Sequence, residues 1–581
     1  MLCARVPVGV FLLVGGLLAA GCPRPQSAGQ KDAAASGGAV ATGPGEATLF
    51  FTADMRGEIE PCGCNSNPLG DLSRLAALVE DASKAHGKNA VAWLDGGSLL
   101  FSEAPTLSAG KQDQEGLKAQ LILAQTARIG LAGAGLGRFD LAAGKAAVQP
   151  ARQAANVAAD QGLALEAPHV IDVGGVKLGI FGLADPDDLA ASGVKASDPA
   201  EAAAKVVPTL RGQGAQVIVA LTQLDRAGAS KLSKKNLGID FIVAGRDTPD
   251  PSETGGNTAG KGLEKLGENA YVIVPARRGQ SVVRVDLHTV AGAPGALVDA
   301  YGEERARDRI DELGKRSAEL TEQLAGWKKD TGADPAFIAK NEAQLAAWKQ
   351  ERDELAANPV RKPASGAWFT AAHVLVERKL RCDRDVVSAK RAFDKSAAEK
   401  NLAAAASEQL PDVPANASGY SGVEECAMCH KKAVDFWKTT HHAQAWKTLV
   451  DVGKDANRDC IKCHVTGWEQ PGGASLLGVT KEETLRNVQC EACHGGAAKH
   501  VESDGKERTL LTRSPPETTC KGCHEPAHSD TFDYQAYLRD VTGPGHGEKL
   551  RAQLGAGKTG HELRQAALAK AAQAIGEGCD K

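Results

Sequence analysis

The chain has few of the side chains that usually fill a large core: Phe, Trp and Tyr make up 4% of its 581 residues, and there are 3 Met. Neither sign of charge dominates. The 68 Lys and Arg against 72 Asp and Glu leave a net charge of −4, which gives no reason to invoke nucleic acid. The apolar run from Val8 to Leu18 is too short for a membrane span. Preceded by Arg5 and followed by Leu18-Ala19-Ala20-Gly21-Cys22, it reads instead as a secretory signal over residues 1–21. Histidine is also scarce, at 14 residues, which makes its placement informative.

Four of those histidines directly follow Cys-x-x-Cys: Cys426/Cys429/His430, Cys460/Cys463/His464, Cys490/Cys493/His494 and Cys520/Cys523/His524. This is the attachment pattern of c-type haem. Two thiols add across the haem vinyl groups, and the imidazole that follows binds the iron as proximal ligand. Paired Cys-x-x-Cys also builds zinc ribbons, but a ribbon needs no histidine after its second cysteine. The expectation is four covalently bound haem c groups, with eight cysteines as thioethers and His430, His464, His494 and His524 on iron. Large apolar side chains are so sparse between Cys426 and His524 that the macrocycles must supply most of the core there.

Haem attachment of this kind takes place outside the bacterial cytoplasm, so signal and motifs agree on an exported protein. Gly21-Cys22 resembles the lipobox of bacterial lipoproteins. That implies lipidation of Cys22 and a periplasmic or outer-surface protein held to a membrane by lipid. With Cys3 in the signal and eight cysteines on haem, Cys62, Cys64, Cys382 and Cys579 remain. In an oxidising compartment they can form disulfides, whose pairing the sequence does not give.

Residues 22–46 are rich in Ala, Gly, Ser, Pro and Gln and read as a flexible tether. From 47 to 290, short apolar runs (Leu49-Phe50-Phe51, Ala90 to Leu94, Val176 to Phe181, Val217 to Leu221, Phe241 to Ala244) alternate with helical stretches such as Leu72 to Lys84 and Pro199 to Gln213. This alternation predicts a layered α/β domain. Residues 301–360, dominated by Glu, Arg, Lys, Ala and Leu, predict two helices in a hairpin with a spacer or packing role. A connecting segment over 361–415, a mainly α haem-packed domain over 416–540 and a helical tail over 541–581 complete a multidomain chain.

The N-terminal domain resembles calcineurin-like metallophosphoesterases of the five-prime nucleotidase type, in order along Leu49 to Gly57, Gly70 to Leu75, Leu94 to Leu100, Gly135 to Asp140, Ala220 to Gln223 and Val243 to Thr248. The resemblance implies strand-end loops that once carried two metal ions. Asp54 survives, but Arg56, Ser98, Leu136, Gly137, Gln223, Arg246 and Thr248 stand at ligand positions. Such residues cannot hold a pair of catalytic metals, so phosphoesterase activity is not expected. Arg56, Arg138 and Arg246 should face one cleft, there to bind a small oxyanion through guanidinium forks or to plug the dead site by pairing with Asp54, Asp140 and Asp247. Cys62-Gly63-Cys64 belongs on the loop after the first strand, as a structural element or as a redox or metal pair.

Phe436 to Trp446, with His441-His442 inside it, and Cys490 to Gly496 followed by His500 resemble the tetrahaem c-type cytochromes of hydroxylamine-oxidising, nitrifying bacteria. The resemblance implies distal histidines supplied from segments attached to other haems, with His442, His500 and then His528 as candidates, and in some members one iron without a strong distal ligand. The leading reading is an exported electron carrier with redox protein donors and acceptors, its phosphoesterase-like domain a docking or anion-binding platform. The alternative is a multihaem oxidoreductase acting on a small nitrogen or sulfur compound at a five-coordinate haem.

Overall fold

The computed structural model describes residues 44–579 apart from 62, 149–151, 252–261, 269, 292–295, 330–333, 527 and 572–573. The signal, Cys22, nearly all of the tether and Cys62 therefore lie outside the described residues.

Thirteen strands are present among the described residues: β1 (Gly45–Thr52), β2 (Val91–Asp95), β3 (Leu131–Gly135), β4 (Arg152–Gln153), β5 (His169–Val173), β6 (Val176–Leu183), β7 (Val217–Thr222), β8 (Phe241–Ala244), β9 (Leu263–Lys265), β10 (Tyr271–Ile273), β11 (Ser281–Thr289), β12 (Val298–Asp299) and β13 (Trp368–Leu375). They form two mixed sheets, in the orders β12-β13-β11-β1-β2-β3-β4 and β5-β6-β7-β8-β10-β9. Alternation along each strand decides what each face meets. Leu49 and Phe51 of β1 point between the sheets, where they join Ile180, Val219, Phe241 and Val283. Phe50 points outward, with Trp93, under Leu72, Leu75 and Val79 of the helix Leu72–His86. On the far side Phe181 and Ile242 meet Val207 and Leu210 of the helix Pro199–Gly212. Both faces of both sheets are covered, which is why the strands read as continuous apolar runs.

The expected boundaries at 290, 301–360 and 361–415 need correction. β13 pairs antiparallel with β11 from Ser281↔Leu375 to His288↔Trp368. The helices Glu303–Trp327 and Pro335–Ala357 are thus an insertion between strands of one sheet, with Arg309 bridging to Glu351 at 2.8 Å. The helix Arg384–Ala405 then packs its Val386, Phe393 and Ala397 into the same outer core as Phe50. No connecting segment stands apart, because 361–405 completes the sandwich.

Past that helix the elements shorten and, among the described residues, the apolar cluster is small, centred on Trp446, Leu449, Ile461, Leu476 and Val479. This region is fastened to the sandwich by polar contacts. Gln114 donates to Asp459 at 2.9 Å, Asn401 donates to the Ala456 carbonyl at 2.9 Å, and Lys454 bridges Glu60 and Asp394. A disulfide joins Cys382 to Cys579, with Cα atoms 5.0 Å apart.

Candidate haem cavity and substituted cleft

A cavity of about 2870 Å³ runs through the C-terminal region, against about 300–1000 Å³ for an ordinary small-molecule pocket. Its lining includes Cys426, Cys460, Cys463, Cys490, Cys493, Cys520, Cys523 and all four motif histidines. The i, i+3 spacing within a motif puts its two thiols toward one side of a helical turn. Cys429 departs from the expectation that all eight thiols face the haem cavity. Its side chain is exposed and is absent from the lining, although its partner Cys426 is there. The reason lies in the helix Val423–Trp437, which carries the first motif at the protein surface. Three residues advance a helix by about 300°, so Cys429 sits about 60° round from Cys426. On this helix that side faces solvent, beside the exposed Met428, whereas in the other three motifs both thiols line the cavity. The thiol of Cys426 meets that of Cys490, and Cys463 meets Cys523. The first motif thus lies against the third and the second against the fourth.

The imidazoles are oriented by their Nδ1 atoms. Backbone carbonyls accept from His464 (Ala445, 2.6 Å), His494 (Thr512, 2.7 Å), His500 (Glu507, 2.7 Å) and His546 (Val541, 2.7 Å). A carbonyl only accepts, so the proton sits on Nδ1 and Nε2 is left as the ligating atom. His524 Nδ1 meets Ser529 Oγ at 3.1 Å. Burial pushes His442 down to about 4, helped by His524 and His441, and lowers His524 as well, which keeps both in the neutral form that binds metal.

Three pairs of rings face one another: His430 and His500 with centroids 6.4 Å apart, His442 and His524 at 6.2 Å, His494 and His546 at 5.8 Å. Two imidazoles bound on opposite sides of one metal, with bonds of about 2 Å, leave their centroids roughly 6 Å apart. The residues therefore fit haem c, whose iron supplies one-electron redox chemistry when bound. Of the expected distal candidates, His442 faces His524 and His500 faces His430, whereas His528 lies beside Glu525 at 3.5 Å and faces no motif imidazole among the described residues. His546, not among the expected candidates, also faces a motif imidazole, that of His494, and is presented by the turn Gly543-Pro544-Gly545-His546-Gly547. Its signal was a lone histidine set among glycines in a histidine-poor chain. His464 has no imidazole opposite it among the described residues, and His441 and His561 instead bond each other at 2.8 Å.

The strand ends of the sandwich bring the substituted cleft together. Asp54, Arg56, Ser98 and Asp247 all have φ between 50° and 57°, a left-handed conformation that costs non-glycine residues and gathers at functional sites. Asp54 receives both arms of Arg56 at 2.8 Å and Thr248 Oγ1 at 3.2 Å. Arg138 lies 3.4 Å from Asp188, and Arg246 lies 2.8 Å from Asp185 and 3.8 Å from Asp247. The expected partner Asp140 serves otherwise. It accepts from the backbone N–H of Ser98, Leu99 and Gly137, holding two loops together. Gln223 fills the centre, meeting Ser98 Oγ at 2.6 Å and donating to the Gly96 and Gly245 carbonyls at 2.9 Å. Among the described residues no group of three or more His, Cys, Asp and Glu could hold a metal ion. Cys64 lines the haem cavity, and its carbonyl accepts from Arg564.

These features define a multihaem c-type cytochrome region attached to a phosphoesterase-like sandwich. More particularly, that region is a cytochrome c554 domain: residues 425–495 match the family of cytochrome c554 and c-prime. Cytochrome c-554 of Nitrosomonas europaea is 34% identical over 91 residues, which is 13% of this chain and 38% of that protein's length. The solved reduced cytochrome c554 from the same organism is similar at 21% identity, over 24% of this chain and 97% of that one, with a TM-score of 0.18. The 5'-nucleotidase precursor from Thermus thermophilus is similar at 18% identity, over 63% of this chain and 61% of that one, with a TM-score of 0.37. The calcineurin-like phosphoesterase YfkN from Bacillus subtilis is 17% identical over 43% of this chain and 88% of that one, with a TM-score of 0.32. A c-type cytochrome domain implies export, and no described helix is long and apolar enough to cross a membrane.

Proposed function

We propose that the chain is an exported tetrahaem electron carrier, anchored by lipid at Cys22, that exchanges electrons with redox protein partners. The observation that carries this reading is the set of three facing imidazole pairs in one cavity. Each pair is contributed by segments distant in sequence, so these side chains would hold three bound irons in a fixed array and shield them from water. The first motif lies against the third and the second against the fourth, so haems bound there would be close neighbours, as one-electron hopping needs. The sandwich serves as a docking platform without phosphoesterase turnover. Its arginines are better read as plugs than as an oxyanion cleft, since Arg56, Arg138 and Arg246 already meet carboxylates. The test is the intact mass of protein from a host that matures c-type cytochromes: fewer than four haem increments contradicts the reading.

The lone His464 favours a second reading, in which its iron is open and the chain acts as an oxidoreductase on a small nitrogen or sulfur compound. Carbon monoxide added to the reduced protein separates the two. A spectrum that ignores the gas leaves a pure carrier.

A further inference from the structure

The haem cavity has a wall that the cytochrome region does not make. The loop after β1 brings Arg56 and Glu58 to it, the turn before β11 brings Arg278, and the helix Gln112–Ile129 brings Lys118. All belong to the sandwich. This wall meets the second motif: Asp459, adjacent to Cys460, lies 2.8 Å from Lys111 and 3.4 Å from Lys118. Glu58 is in electrostatic reach of Lys118, Arg278, Asp459 and Glu60 together. The second motif is also the one whose histidine faces no imidazole among the described residues.

Most charges on this wall are already neutralised. Lys118 meets Glu115 and Asp459, Lys111 meets Glu103 and Asp459, Lys390 meets Glu60 and Asp71, Lys454 meets Glu60 and Asp394, and Arg56 meets Asp54. Arg278 differs. No ion pair or side-chain hydrogen bond reaches its guanidinium among the described residues, although its N–H is fixed to the Asp54 carbonyl at 2.9 Å. Its backbone is held at φ 55°, a conformation that glycine adopts freely and arginine does not. Beside it, burial pushes the Glu58 carboxyl up to about 7, against the pull of Lys118 and Arg278, so near neutral pH much of it carries a proton and can donate.

We propose that Arg278 and Glu58, backed by Lys118, form a binding site for a small monoanion beside the second motif, within reach of the iron that His464 would hold. The sandwich then supplies the ligand-binding face and the cytochrome region the metal. Arg278 contributes two parallel donors, the geometry that suits an anion with two terminal acceptor atoms. The proposal rests on the reading of the His464 iron as open.

The test uses full-length holo-protein and two probes, azide as the anion and carbon monoxide, on reduced protein, as a neutral ligand. The wild type should bind both. Arg278→Gly removes the guanidinium while relieving the backbone, so it should fold and carry haem as the wild type does. It should lose azide affinity by about tenfold or more, the value of one charge-assisted hydrogen bond, and leave carbon monoxide affinity unchanged. Lys549→Gln, which removes another cation lining the cavity, should change neither. Carbon monoxide binding with azide affinity unaltered in Arg278→Gly overturns the anion site and leaves the open iron standing. Binding of neither probe overturns both.

Discussion

Replacing His546 by alanine isolates the role assigned to the tail. Its ring lies 5.8 Å from that of His494 with the planes at 86°, and its Nδ1 donates to the Val541 carbonyl at 2.7 Å. The backbone N–H and carbonyl of His546 pair with Gly543 at 2.9 and 2.7 Å, and these bonds survive the substitution. Losing the side-chain bond costs about 1 kcal/mol, too little to melt the turn. The thioethers at Cys490 and Cys493 are untouched, so the haem stays attached while its iron loses an axial imidazole. With four haems bound, the high-spin share should rise by about one quarter. Absorbance and EPR of the oxidised holo-protein read this directly. The rings of His430 and His500 are only 19° from parallel, so its low-spin signal should differ from that of the His494 pair, and the latter should vanish. His528→Ala is the control. An unchanged high-spin share in His546→Ala, or an equal rise in His528→Ala, would refute the assignment.

Asp459 reports on the docking of the two regions. Burial raises its carboxyl, but Lys118 and Lys111 lower it further, to about 2 from 3.8. The folded value lies below the unfolded one, so the stabilisation is present above about pH 4 and is lost as pH falls toward 2. The shift is worth roughly 2 kcal/mol, and screening at a side chain 33% exposed reduces it to about 1 kcal/mol. Asp459→Asn should lower the thermal midpoint at pH 7 and flatten its fall between about pH 4 and 2; a parallel fall in both proteins contradicts the linkage. Gln223→Ala should destabilise by about 2–4 kcal/mol, since it strands the Gly96 and Gly245 carbonyls and Ser98 Oγ. Gly137→Ala puts a Cβ into Ser98 Oγ and Gln223 Oε1 and should cost about 1–3 kcal/mol. The double variant should lose less than the sum, because alanine at 223 opens the space; strict additivity in chemical denaturation would show that the two sites do not touch.

What could be read from the chain was what is encoded locally. The haem motifs are legible because thioether and iron bonds require contiguous residues, and β1, β2, β6, β7 and β8 because each is an apolar run that needs no knowledge of its neighbour. Which way each thiol points is a different matter, and Cys429 shows it: the motif fixes the spacing, while the packing of the helix that carries it decides which face meets solvent. The return of β13 to β11 was not legible, since a strand carries no label naming a partner that lies beyond two long helices. His546 was passed over for the same reason: its role exists only opposite His494, 52 residues earlier. Arg138 and Arg246 both reach Asp188 in the cleft. Of their acid partners Asp247 was among those expected; Asp185 and Asp188 were not legible, because they follow β6 and reach Arg246 across β7 within one sheet and Arg138 only from the other sheet.

The bond between Cys382 and Cys579 has a topological consequence. Every Cys-x-x-Cys-His motif, from Cys426 to His524, and the tail histidines His546 and His561 lie between its two ends. The cytochrome region therefore lies within a closed ring of chain tied to the sandwich at both ends. A protease that cuts once inside this ring releases nothing. The nicked molecule keeps its haems and its mass apart from one added water, and comes apart only when the sulfurs are reduced and the fold is melted.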